Sequence, residues 1–155
     1  AFPVDPASEE LMSRVARSAV IRNTPSRIME YIADVSNHPA FIGPLQSVGH
    51  LSGDPRMPGT KWTWTFVMAG VEFQGQAETV SYDPDRSFTY RTTSGIMSTF
   101  TYSCAPEKEG CKLSMEVSYE VPQSLGAKVQ TAVVEKLNDA EGDRVVQNLK
   151  AILDD

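Results

Sequence analysis

Side-chain alternation between Thr60 and Val121 constrains this chain more than any other feature of its sequence. Near the end of that stretch Cys111, Leu113, Met115, Val117, Tyr119 and Val121 alternate with Lys112, Ser114, Glu116, Ser118 and Glu120. Successive side chains of a strand point to opposite faces, so the segment predicts a strand with one apolar and one polar face. Pairing it back through a turn at Ala105–Gly110 places Cys104, Tyr102 and Phe100 on the same apolar face, with Cys104 directly opposite Cys111. A three-residue turn at Ser94–Ile96 adds Phe88, Tyr90 and Thr92. A four-residue turn at Asp83–Arg86 continues the row to Thr79, Ala77, Gly75, Phe73 and Val71, and the tight Ala69-Gly70 turn adds Met68, Phe66, Trp64 and Trp62. Glu72, Gln74, Gln76 and Glu78 all fall on the opposite face. A one-residue slip would exchange the two faces, so agreement across five strands fixes the register. The expected product is a curved antiparallel sheet, apolar inside.

The second strong pattern is helical. From Ser124 to Leu153, Leu125, Val129, Val133, Leu137, Ala140, Val145, Leu149 and Ile152 recur at steps of three to five, with charged residues between them. Ser124 is placed to cap the first turn, and Pro122 ends the segment before it. A helix of that length spans roughly 45 Å, against about 34 Å for a ten-residue strand, so one end should overhang the sheet. Gly142 interrupts the stripe and marks a position where the helix could bend. Together the patterns predict an α+β domain in which the sheet is closed by this helix.

Ahead of the meander, Ala1–Met12 reads as an irregular arm, with a short helical turn at Ser8–Met12, and residues 14–155 as a single domain. Arg14–Arg22 is the first strand. Thr24 caps a helix that has Pro25 at its first position, buries Ile28, Tyr31 and Ile32, and ends near Asp34. A second short helix covers Asn37–Ile42, and Leu45–Leu51 forms a short second strand. The phase of the first strand is ambiguous. With Ala16, Ser18 and Val20 inward, Arg17 is in solvent. With Val15, Arg17, Ala19 and Ile21 inward, Arg17 is buried and suits an anionic head group. The first phase is preferred, because a buried Arg is costly unless paired.

The net charge of −6 and the lack of a Lys/Arg cluster argue against nucleic acid or anionic membrane surfaces as partners. No apolar run reaches the eighteen or so residues of a membrane span, and the expected location is the cytoplasm. Cys104 and Cys111 are the only cysteines, too few for a metal site without a nearby His, so no metal or cofactor is expected. Reduced thiols are the expected state there, with a cross-strand disulfide as the alternative. Walker, GxGxxG and GxSxG motifs are absent.

The first strand followed by TPSRIMEYIADVSNHPAFIGPL, then PGTKWTWTF, then the Val–Pro junction into SLGAKVQTAVVEK and NLKAILDD, resembles the polyketide cyclase/dehydrase-like proteins. These belong to the START-like (SRPBCC) helix-grip superfamily, which also holds the birch pollen allergen. The likeness runs from about Arg14 to Leu153. It implies a seven-stranded antiparallel sheet wrapped around the C-terminal helix, two short helices after the first strand, and a cavity for a hydrophobic small molecule. The inward face supplies candidate ligand contacts: Trp62, Trp64, Phe66, Phe73, Thr79, Phe88, Tyr90, Thr92, Phe100, Tyr102, Met115 and Tyr119 of the sheet, with Val129, Val133 and Leu137 of the helix. The tyrosines, Thr79 and Thr92 are the polar handles among them. The plainer alternative is that the aromatics interdigitate and fill the interior.

The inward rows contain no His, Asp, Glu or Lys, so general acid–base chemistry would need tyrosine hydroxyls or the rim residues Asp34, His38, His50 and Glu135. Binding or transport of a lipid, quinone or polyketide-like compound is therefore placed ahead of an aromatase/cyclase or dehydratase activity. A protein-interaction module is the third alternative. Either a monomer or a homodimer is expected.

Overall fold

A computed structural model describes residues 12–68, 70–120 and 131–155, without the side chains of Met12 and residues 131–137. The expected arm, the cap at Ser124 and Val129 lie outside the described residues. Strand β1 (Met12–Ile21) leads into α1 (Pro25–Ala33), where the Thr24 side chain accepts from Arg27 N at 3.2 Å. The Asp34 carboxylate, bonded to Ser36 N, then caps a single 3-10 turn at Val35–Asn37, which runs into α2 (His38–Phe41). Six strands follow: β2 (Leu45–Gly49), β3 (Lys61–Met68), β4 (Val71–Asp83), β5 (Ser87–Thr92), β6 (Ser98–Glu107) and β7 (Gly110–Glu120). Helix α3 (Thr131–Leu153) closes the chain. The seven strands form one antiparallel sheet in the order β1-β7-β6-β5-β4-β3-β2.

The meander pairs as the alternation requires, with Trp64 opposite Gly75, Phe66 opposite Phe73, Tyr90 opposite Phe100 and Tyr102 opposite Met115. Two turns differ from expectation. Asp83 pairs with Ser87, so the β4–β5 turn has three residues, and the surplus residue is taken up by a register shift between Thr79 and Ser81. That irregularity leaves Val80 exposed and returns Thr79 to its place opposite Tyr90. At the β6–β7 hairpin Glu107 pairs with Gly110, so the strands run further than the sequence suggested. Cys104 faces Leu113 and Cys111 faces Pro106, rather than each other. A shift of two residues keeps both thiols on the inner face, where they are free and buried, and burial raises the pKa of each.

The phase of β1 is the one not preferred from sequence. Val15 and Ile21 are buried and Ala19 packs on the core, while Ala16, Ser18 and Val20 are exposed. Arg17 on the inward row is not isolated. Its Nε donates to Asp143 Oδ1 at 2.6 Å, and Nη2 lies 3.6 Å from Asp139 Oδ1, both on α3. Two carboxylates one helical turn apart therefore remove the cost that argued against this phase.

The stripe on α3 is also rotated. Gly142, Val145, Val146, Leu149 and Leu153 are buried, one helical face, whereas Ala140 and Ile152 are exposed. Gly142 produces no break, because the helix is continuous from Thr131 to Leu153. The glycine is there for contact: a Cβ at Gly142 would lie 2.6 Å from Val15 Cγ1. Beyond it, Asn23 Nδ2 donates to Leu153 O, Lys150 Nζ to Val20 O and Asp155 N to Arg22 O, which fixes the helix end to the end of β1. Among the strands, β1 takes the main contact with α3, and α2 meets the helix from the other side.

Replacing a helical Gly with Ala ordinarily stabilises by about 1 kcal/mol. Here the sign should reverse. The stiff β-branched Val15 cannot yield, so Gly142→Ala should lose about 1–3 kcal/mol in chemical denaturation. Val15→Ala should recover most of that loss in the double variant.

Candidate ligand cavity

Between the inner face of the sheet and α3 lies a cavity of about 120 Å³. A single buried water needs only about 10–15 Å³, so the interior is not filled by its own side chains. The wall is predominantly apolar. Of the sheet residues expected there, Trp62, Trp64, Phe66, Tyr90, Thr92, Phe100, Tyr102, Met115 and Tyr119 line it. Phe73, Thr79 and Phe88 do not: Phe88 is fully buried against the rings of Tyr82, His38 and Tyr90, and the Thr79 hydroxyl donates to Pro55 O at 2.5 Å. Val133 and Leu137 are on α3, with side chains outside the described set.

The aromatics leave space because they stack on the wall rather than across it. Tyr90 lies flat on Phe100, ring centroids 4.7 Å apart, and tilts against Trp62 at 5.4 Å. Trp64 is seated on backbone. A Cβ at Gly75 would come 2.5 Å from its Cζ2 and also collide with Ser94 O, and one at Gly95 would come 2.7 Å from its Cη2. Gly75 on the inward face and Gly95 in the β5–β6 turn are thus the bed of the indole. Thr92 is spent on its own turn, donating to Ile96 O and accepting from Ser98 N at 2.7 Å.

Several lining residues were not foreseen. Ile42, Pro44, Leu45 and Val48 come from α2, β2 and the link between them, Ile96 from the β5–β6 turn, and Asn138, Glu141, Gly142 and Val145 from α3. Their signal was the contact stripe of α3: Asn138 and Glu141 stand four and one residues before Gly142. Among the rim candidates, Asp34 is engaged by Ser36, His50 is exposed beyond the end of β2 with φ 53°, and the Glu135 side chain is not described.

Of the rim candidates, His38 does line the cavity. It is buried, and Nε2 donates to Ile32 O at 2.7 Å, since a carbonyl can only accept. Desolvation outweighs that bond and the nearby Asp34, lowering its pKa to about 4. Burial likewise raises the pKa of Tyr90 and Tyr102, so both hydroxyls stay protonated. Two of the lining residues carry a buried polar atom without a hydrogen-bond partner, Trp64 Nε1 and Asn138 Nδ2. The Tyr90 and Tyr102 hydroxyls are near enough for each to shift the pKa of the other. Glu141 is the one charged residue among the described lining, and its carboxylate is paired with Arg144. Among the described residues no cluster of His, Cys, Asp or Glu could hold a metal ion.

A sheet curled on a C-terminal helix around an internal cavity is the helix-grip arrangement. The chain belongs to the family described as polyketide cyclase/dehydrase and lipid transport, whose model matches residues 12–154. No curated protein was found as a sequence relative. Solved structures share the fold at low identity. TTHA0849 from Thermus thermophilus superimposes with a TM-score of 0.76 at 17% identity, covering 91% of this chain and 97% of that one. The Zhui aromatase/cyclase from Streptomyces sp. R1128 gives 0.71 at 13%, covering 92% and 93%. Ara h 8.0201 gives 0.65 at 15%, covering 92% and 97%. None of the described helices is long and apolar enough to cross a membrane.

The buried neutral His38 makes stability depend on pH. Its folded pKa of about 4 lies below the ordinary 6.5, so its contribution is complete above pH 6.5 and is lost as pH falls toward 4. That depression corresponds to about 3 kcal/mol. His38→Gln keeps a donor for Ile32 O but cannot titrate. The stability gap between wild type and this variant should narrow by about that amount between pH 7 and pH 4 in urea titrations.

Proposed function

We propose that this protein binds or carries a hydrophobic small molecule, of lipid, quinone or polyketide-like character, in the cavity between the sheet and α3. The observation that carries the reading is the cavity itself: about 120 Å³ of space with a mainly apolar wall, in a fold otherwise packed to the core. A cavity of about 150 Å³ is large enough for benzene, so the enclosed part suits one ring or a stretch of chain. The family description, which pairs lipid transport with cyclase and dehydrase activity, supports the same use of the interior.

A catalytic role is the second reading, favoured by Glu141 standing on the same wall as the protonated hydroxyls of Tyr90 and Tyr102. Such groups could donate to a developing oxyanion while the wall holds a flexible substrate folded. The carrier reading is preferred because desolvation lowers the pKa of His38 to about 4, which makes it a weak base near neutral pH, and Glu141 is held by Arg144.

Native mass spectrometry of the purified protein, followed by organic extraction, should find a bound apolar molecule. Ala77, buried on the cavity wall, provides the control. Ala77→Leu should lower uptake of that molecule by about tenfold or more by occupying its space, while the thermal midpoint holds or rises. Unchanged uptake would remove the cavity as the site. Turnover of a polyketide substrate that is lost in Tyr102→Phe would instead favour the enzyme.

A further inference from the structure

The cavity wall is not equally firm on all sides. Met68 and Met115 present unbranched side chains that change rotamer at little cost. Tyr90 rests on Phe100, a half-buried side chain that can shift with it. Trp64 is different, because main chain stands behind it. Its indole lines the cavity, whereas Gly75 and Gly95 lie on the side away from the space. One added carbon would come 2.5 Å from Cζ2 at Gly75 and 2.7 Å from Cη2 at Gly95, so no room is left between ring and backbone.

That backbone is itself held. Trp64 is paired with Gly75 across β3 and β4. The β5–β6 turn is tied down over β4: Thr93 N donates to Gln76 O at 2.7 Å, and Gln76 N to Ser94 Oγ at 2.9 Å. Gly95 takes a φ of 77°, in the left-handed region, which brings the turn against the indole with no side chain between them. Moving the ring away from the cavity therefore means lifting the turn off β4, not changing a rotamer.

We propose that Trp64 is the specificity-determining residue of the cavity, a fixed stop that admits one ring or an unbranched chain and excludes fused two-ring compounds. This rests on the small-molecule reading above and adds a size limit to the same site. A cavity of about 150 Å³ takes benzene. One ring therefore occupies the 120 Å³ here, and a fused second ring presses on the wall. Rearranging the methionines redistributes that space, but enlarging it takes movement of the indole.

Toluene and naphthalene, each titrated calorimetrically into the wild type, Trp64→Leu and Trp64→Phe, test the stop. Naphthalene has the larger apolar surface and would bind tighter on burial alone. The wild type should instead bind it about tenfold more weakly than toluene, the effect of overpacking against a wall that cannot yield. In Trp64→Leu the order should reverse, with naphthalene gaining about tenfold or more and toluene losing about threefold for want of the ring contact. Trp64→Phe should fall between. A role in packing alone would weaken both ligands together and leave their ratio unchanged, which would overturn the proposal. Wild type that binds naphthalene as tightly as toluene would also overturn it, while leaving a hydrophobic site in place. Binding of neither would overturn it together with the cavity reading beneath it. Circular dichroism melts establish whether each variant folds. The wild-type ratio is independent of them, and Trp64→Phe, which keeps an aromatic ring in the seat, serves if Trp64→Leu does not fold.

Discussion

The whole interior depends on where α3 is held. The helix is seated on β1 through Gly142 against Val15, and is fixed beside that contact by Arg17 to Asp139 and Asp143. Its far end is bonded to Val20, Arg22 and Asn23. A helix anchored along one edge of a curved sheet, with α2 against its other flank, leaves the middle strands partly uncovered. Those strands carry the aromatic wall. Had the helix lain across β4 and β5, the same side chains would have met Val145 and Leu149 and closed the space.

The wall makes a matching use of backbone. Trp64 and Tyr90 carry large apolar surfaces on the inner face, and each is laid against something flat. Gly75 and Gly95 take the indole, and Phe100 takes the phenol ring. Dispersion contacts are thereby made with the sheet rather than across the interior, so the space between sheet and helix stays open without leaving the rings loose. Polar groups follow a division of labour. Thr79, Thr92, His38 and Asp34 are spent on turns and caps, which makes the scaffold rigid. Trp64 and Asn138 are left with a buried polar atom that has no partner.

The family permits carriers and enzymes on one scaffold, and the physical difference lies in whether a titratable group on the wall is available. His38 illustrates the point. It touches the cavity, but desolvation lowers its pKa to about 4 against the opposing pull of the Ile32 carbonyl, to which its Nε2 proton is given. Proximity to a pocket does not make a histidine an effective base when desolvation has lowered its pKa so far. The identities of the solved relatives, 13% to 17% for those compared, carry the fold and leave the chemistry to these residues.

Much of this was legible in the sequence alone. Period-two alternation with short turns determined the sheet, its faces and most of its register, because a slip of one residue would have put Glu72 and Glu78 inside. Thr24-Pro25 determined the start of α1 for an equally local reason. Tertiary structure decided what local patterns could not carry. The phase of β1 turned on whether Arg17 would meet carboxylates 122 and 126 residues away. Gly142 read as an interruption until its neighbour Val15 was in place. The cysteines stood opposite each other until the turn proved to sit at Lys108–Glu109, which shifts the register by two residues. The cavity itself is a distance between two surfaces, and no spacing within either one encodes it.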